Sequence, residues 1–231
     1  MDWVQTVDIY CERTSTAYWA EPVNALTNAA FLLAALWGAV EARRRGTADP
    51  LTWLLIGMAA LIGVGSFLFH THATRWSELA DTLPIWSFVA VFVLTAMRRI
   101  GGMPAAKVAR VAGLVIAGAV LTLVFLASGE GADAARTAPD PLNGSGQYAP
   151  ALLALVVFSG LSWWRDHRAA PWVAAATGVF VVSLVFRTLD RDICATLPLG
   201  THFLWHLLNG LMIGLLLQML VRAGQPAPQP R

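Results

Sequence analysis

Hydrophobic positions along this chain gather into long unbroken runs. Seven stretches are almost wholly apolar, at 22–41, 51–70, 82–97, 108–127, 149–164, 172–188 and 201–221. A helix needs about 20 such residues to cross a bilayer, within a range of roughly 17–25. In lipid, every backbone polar group must be paired internally, which leaves only helices and closed barrels. Barrel strands alternate apolar and polar residues, and these runs do not. The pattern therefore predicts an all-α integral membrane protein with seven transmembrane helices. The chain divides into an amino-terminal segment over 1–21, a seven-helix membrane domain over 22–221 and a tail over 222–231. The opening segment holds Asp2, Asp8, Glu12 and Glu21 without a basic start and an apolar stretch, so it does not read as a signal peptide. The tail is rich in Gln and Pro and is expected to be disordered.

Composition narrows the class further. Hydrophobic residues make up 57% of the chain and charged residues 13%, where soluble domains carry about 25% charged. That balance argues against both a disordered chain and a water-soluble globule. A net charge of +2 with 16 Lys and Arg provides no basic face for nucleic acid. Two cysteines are too few for a small disulfide-stapled fold.

Charge placement sets the expected orientation, because Lys and Arg concentrate in cytoplasmic connections. One set of loops carries Arg43, Arg44, Arg45, Arg98, Arg99, Lys107, Arg110, Arg165, Arg168, Arg222 and Arg231, which is 11 of the 16 basic residues. The opposite set carries 11 of the 14 acidic residues. The amino terminus is thus expected outside and the carboxyl terminus in the cytoplasm. Cys11 and Cys194 then share the oxidising outer side, where either a disulfide or two independent thiols is allowed.

Ionisable groups inside membrane spans are costly and mark functional sites. The second run ends on Ser66 and His70, the third begins at Asp81, and the seventh opens with His202 and His206. The alternating topology puts all of them at one depth, toward the outer side. Ser66 and His70 are four residues apart, as are His202 and His206, so each pair shares a helix face. Two imidazoles one turn apart suit a single metal, although Phe203 stands where a zincin helix has its Glu. His70 supplies a third ligand at the right depth, and three His with one open position form a catalytic zinc pattern. Asp81 is placed to take a proton from water, and Ser66 to donate to a developing oxyanion.

Taken in order, these residues resemble the alkaline ceramidase family, within the wider group of seven-span hydrolases that includes the progestin and adipoQ receptors. The resemblance rests on Asp8-Ile9-Tyr10-Cys11-Glu12 followed by Ala20-Glu21-Pro22-Val23-Asn24, on Ser66-x3-His70 with Asp81 eleven residues on, on Leu189-Asp190 before Cys194, and on His202-x3-His206. It implies a zinc amidase that cleaves the N-acyl bond of ceramide or a related N-acyl lipid. His70, His202 and His206 would hold Zn2+, with Asp81 and Ser66 catalytic and Cys11 paired with Cys194. The family's calcium site implies Asp8, Glu12 and Glu21 as candidate Ca2+ ligands, since carboxylates suit that ion. Here Asp8 is displaced by one position and Thr14 stands where the family has Asn. The same acidic segment also suits ion pairs with Arg13 or Arg75. The chain reads as a bacterial inner-membrane member with its site facing the outer side and a lipid as its substrate partner.

Three rivals share parts of this pattern. A receptor or scaffold on the same fold would use zinc structurally. A metal or proton transporter would need polar residues at several depths, whereas these are confined to one side. An intramembrane protease is disfavoured because Ser66 and His70 lie on one helix and Phe67 follows Ser66.

Overall fold

A computed structural model describes residues 2–47, 49–127 and 140–223. Its helices are α1 (Pro22–Thr27), α2 (Ala29–Arg44), α3 (Pro50–His72), α4 (Arg75–Arg99), α5 (Ala105–Ala127), α6 (Ala149–Trp164), α7 (Ala170–Leu189) and α8 (His202–Ala223). Among the described residues there is no β-strand, only an isolated antiparallel bridge between Thr6 and Thr74. Six segments are long and apolar enough to cross a membrane, with α1 and α2 forming one of them. The remaining helix, α5, covers the expected run 108–127 over 23 residues. Of the tail over 222–231 that is expected to be disordered, Arg222 and Ala223 instead close α8, and residues from Gly224 onward lie outside the described residues.

Two boundaries differ from the hydropathy pattern, each for a local reason. The first span breaks at Asn28. Its side-chain amide donates to Asn24 O at 2.9 Å, the carbonyl that its backbone N–H would take in a continuing helix. The third span begins at Arg75, not at 82. A capping box between Thr74 and Ser77 starts the helix there, so residues 75–81 are polar but helical. Pro84, which reads as the opening of that span, lies inside α4. The start of α3 follows sequence rules more closely. Asp49 accepts from Thr52 N at 2.6 Å and Pro50 takes the first helical position.

Packing follows the order α4–α3–α2–α8–α7–α6, with α5 against α4. The central element is α8, which is buried along most of its length. It comes close to α2 at Gly210, where a Cβ would sit 2.6 Å from the Ala30 Cβ and 2.8 Å from its backbone carbon. At the end where α2 finishes and α3 begins, charged residues tie the helices together. Glu41 pairs with Arg45 at 2.5 Å and with Arg222 at 3.1 Å, and Asp49 pairs with Arg99. Between α4, α6 and α8 lies an apolar cavity of about 370 Å³, lined by Phe88, Phe92, Leu155, Phe158, Trp205 and Ile213 among others.

Candidate metal centre

His70, His202 and His206 converge at the opposite end of the bundle, where α3 finishes and α8 begins. All three are buried, and one ring nitrogen from each lies within 4.8 Å of the others. His70 comes from the last turn of α3. His202 and His206 stand one turn apart on α8, as their spacing predicts.

The hydrogen bonds around the rings decide which nitrogens are free. His70 Nδ1 lies 2.6 Å from the Glu21 carboxylate, an acceptor, so this nitrogen carries the proton. His206 Nδ1 lies 3.0 Å from Thr27 Oγ1. That hydroxyl has one proton, directed to the carbonyls of Val23 and Asn24 at 2.8 and 3.0 Å. It therefore accepts from His206 Nδ1–H. Both Nε2 atoms are left with lone pairs, and they face each other at 3.1 Å. Two lone pairs held this way in a dry interior repel unless a cation lies between them. Ligands of a tetrahedral zinc at 2.0–2.1 Å sit roughly 3.3 Å apart, close to the spacing found. His202 Nδ1 is buried without a hydrogen-bond partner. The donor set thus fits a metal ion, with Glu21 and Thr27 as the outer partners that fix ring orientation.

Ser66 lies one turn before His70 and is buried. Asp81 lies alongside on α4, where a Cβ on the neighbouring Gly65 would be 3.4 Å from the Asp81 Cα, and the Asp81 Oδ1 is buried without a hydrogen-bond partner. Backbone contact between α3 and α4 allows this approach. A Cβ on Gly65 would collide with the Ala80 carbonyl oxygen and sit 2.9 Å from its carbon. Pro84 has no N–H to hold the carbonyl of residue 80, four positions earlier, which leaves that oxygen free to lean on Gly65. Gly65→Ala is expected to cost about 1–3 kcal/mol of stability, read as a lowered Tm, and to push Asp81 away from Ser66. An unchanged Tm would show that the two helices yield freely here.

The amino-terminal segment folds over the histidines. Val7 N donates to Ala73 O at 2.8 Å and Arg75 N to Gln5 O at 3.1 Å, which anchors the segment along the α3–α4 turn. The Tyr10 ring stacks on His202, with centroids 3.7 Å apart. Cys11 and Cys194 form a disulfide with Cα atoms 5.3 Å apart. Asp190 is fully buried and accepts from Cys11 N at 3.1 Å, Thr201 N at 2.7 Å and His202 N at 2.8 Å. It therefore ties the segment to the start of α8.

The three acidic residues of this segment are not grouped around one point. Asp8 is exposed. Glu12 accepts from the N–H groups of Val23 and Asn24 at 2.7 and 2.8 Å, a cap for the first turn of α1. Its burial pushes the carboxyl up from the ordinary range, against those two hydrogen bonds. Glu21 pairs with the buried Arg13 as well as with His70. Burial works against its charge, but the hydrogen bond from His70 and the Arg13 guanidinium outweigh that and hold the carboxyl below the ordinary range.

The structure thus brings together Ser66, His70, Asp81, His202, His206 and Glu21, and joins the two cysteines. Tyr10, Arg13, Thr27 and Asp190 were not singled out by sequence as site residues. Tyr10, Arg13 and Asp190 reach the site through loop packing, which leaves no periodic trace, and Thr27 through the last turn of the short α1. The one available signal was for Asp190, whose carboxylate lies shortly before a helix start.

Comparison with known proteins agrees with this geometry. The family model described as ceramidase matches residues 5–230. The chain is similar to the alkaline ceramidase YPC1 of Saccharomyces cerevisiae, with 28% identity over 248 residues that cover 90% of this chain and 73% of that protein.

Proposed function

The chain belongs to the ceramidase family, and on that premise we propose that it is a zinc-dependent membrane amidase. Its reaction is hydrolysis of the N-acyl bond of ceramide or a related N-acyl lipid to a fatty acid and an amine. The observation that carries this reading is the pair of Nε2 lone pairs facing each other at 3.1 Å, with His202 completing the set. These three histidines would hold a zinc ion, which would supply Lewis acidity to polarise a carbonyl and lower the pKa of water to about 7.

The remaining chemistry belongs to Asp81 and Ser66. The free Oδ1 of Asp81 takes a proton from the attacking water as its oxygen bonds to the carbonyl carbon. The Ser66 hydroxyl donates to the carbonyl oxygen as negative charge builds there. When the C–N bond breaks, Asp81 returns the proton to the departing amine. Glu21 and Thr27 hold the His70 and His206 rings throughout. The apolar cavity suits an acyl chain. Phe31 and Trp205 line it, and the Phe31 ring is 6.4 Å from that of His206, so the cavity adjoins the metal centre.

The same reading takes α5 as a seventh span, the amino terminus outside and the carboxyl terminus in the cytoplasm. The arginines at the far ends of α2, α4 and α8 support that orientation. The metal centre then faces the outer side of a bacterial inner membrane.

The test is hydrolysis of N-acyl amino-alcohol lipids by the detergent-purified protein. A zinc chelator is expected to take the rate to background, and stoichiometric zinc to restore it. Bound zinc without turnover on any such lipid would favour a receptor or scaffold with structural zinc.

A further inference from the structure

The opening segment resembles one that binds calcium, yet the carboxylate oxygens of Glu12 and Glu21 are already engaged. Arg13 is at the centre of this arrangement, with its side chain 2% exposed. Its Nε pairs with Glu21 Oε1. Its Nη2 donates to His70 O at 2.9 Å, and its Nη1 to Ser15 O at 3.1 Å and Ala17 O at 3.5 Å. One carboxylate and three carbonyls are an oxygen set of the kind that surrounds a hard cation, and here a guanidinium fills it. The other Glu21 oxygen takes His70 Nδ1 at 2.6 Å and Asn24 Nδ2 at 3.1 Å. Both oxygens of Glu12 take the backbone of α1, and Asp8 is exposed. A divalent ion added beside Arg13 would have to displace the hydrogen bonds on Glu12 and Glu21 and would meet a like charge at close range, where the interior screens poorly.

We propose that Arg13 is a resident cation that takes the place of calcium in the amino-terminal cap and makes the cap independent of that ion. The residue couples three parts of the fold. It neutralises the buried Glu21, it satisfies a carbonyl in the last turn of α3, and it closes the 15–17 turn. The sign suits the negative end of the α3 dipole. Through Glu21 it also steadies the ring of His70, which makes it a positioning residue for the metal centre.

The experiment compares thermal unfolding of the detergent-purified, zinc-loaded chain in chelator-free buffer depleted of calcium and in the same buffer with millimolar calcium. Wild type is expected to show the same Tm in both. A rise of more than about 2 °C with calcium would overturn the proposal. Arg13→Met keeps the stem but leaves Glu21 without its main counter-charge, and is expected to lower Tm by roughly 10 °C. Arg13→Lys keeps the charge without the fork and should lose less than half as much. An unchanged Tm in Arg13→Met, or an equal fall in Arg13→Lys, would each sink the idea. If Arg13→Met does not accumulate, the wild-type titration and Arg13→Lys still decide. A separate readout is release of bound zinc to a chelator, expected to be at least about 10-fold faster in Arg13→Met than in wild type. Zinc is the same in both arms and no turnover is read, so failure of this comparison is distinct from failure of the amidase reading.

Discussion

His206→Ala is expected to bring bound zinc from about one ion per chain to near zero and turnover to the uncatalysed background, a loss of more than about 10⁴-fold. Two observations make the effect large. His206 Nε2 faces His70 Nε2 directly, so its removal leaves His70 and His202 as a two-ligand remnant with no third imidazole among the described residues near them. The substitution also strands Thr27 Oγ1, which loses its ring partner but keeps its two carbonyl acceptors. The fold should survive, because α8 is held along its length by α2 and α7. Circular dichroism and metal analysis on the same sample separate loss of metal from loss of structure. Thr27→Ala provides an internal scale. It removes only the outer partner, and affinity for zinc is expected to fall about 10–100-fold. A folded His206→Ala protein that retains full zinc would remove the proposed centre.

The histidine layer was legible because helices impose two simple rules. Residues four apart share a face, and alternate span ends share a depth. Those rules were enough to bring Ser66, His70, Asp81, His202 and His206 together across more than 100 residues of sequence. The cysteine pair followed from the same depth rule, which allowed a bond without requiring one. What supports the layer was not legible. Glu21 was read as a candidate calcium ligand, with an ion pair to Arg13 or Arg75 as the alternative, and in the structure it joins Arg13 to His70. Choosing between a bound cation and a neighbouring arginine depends on where a loop turns, and neither charge nor spacing records that. The start of α4 was misplaced for a related reason. Hydropathy finds the lipid-facing part of a helix, and the turns from 75 to 81 are helical without being apolar. Only the Thr74–Ser77 capping box marks that start, and Pro84 draws attention away from it.

Asp81→Asn is expected to lower kcat by about 10²–10⁴-fold, the usual contribution of a positioned acid–base group. Zinc content and Tm should stay close to wild type. The substitution is nearly isosteric, so the packing of α4 against α3 is kept. What it removes is the capacity of the buried, unpartnered Oδ1 to hold a proton between attack and amine departure. The loss should therefore appear in kcat with little change in KM, because the carboxylate makes no contact that binds the lipid chains. Ser66→Ala provides the contrast. Its hydroxyl is one oxyanion donor, and its loss is expected to cost about 10²–10³-fold. If the two residues act in one step, Asp81→Asn combined with Ser66→Ala will fall well short of the product of the single losses. Simple multiplication of the two effects would show that Ser66 stabilises charge independently of the proton carried by Asp81. Full turnover in Asp81→Asn would remove the carboxylate from the mechanism and leave water activation to the metal centre alone.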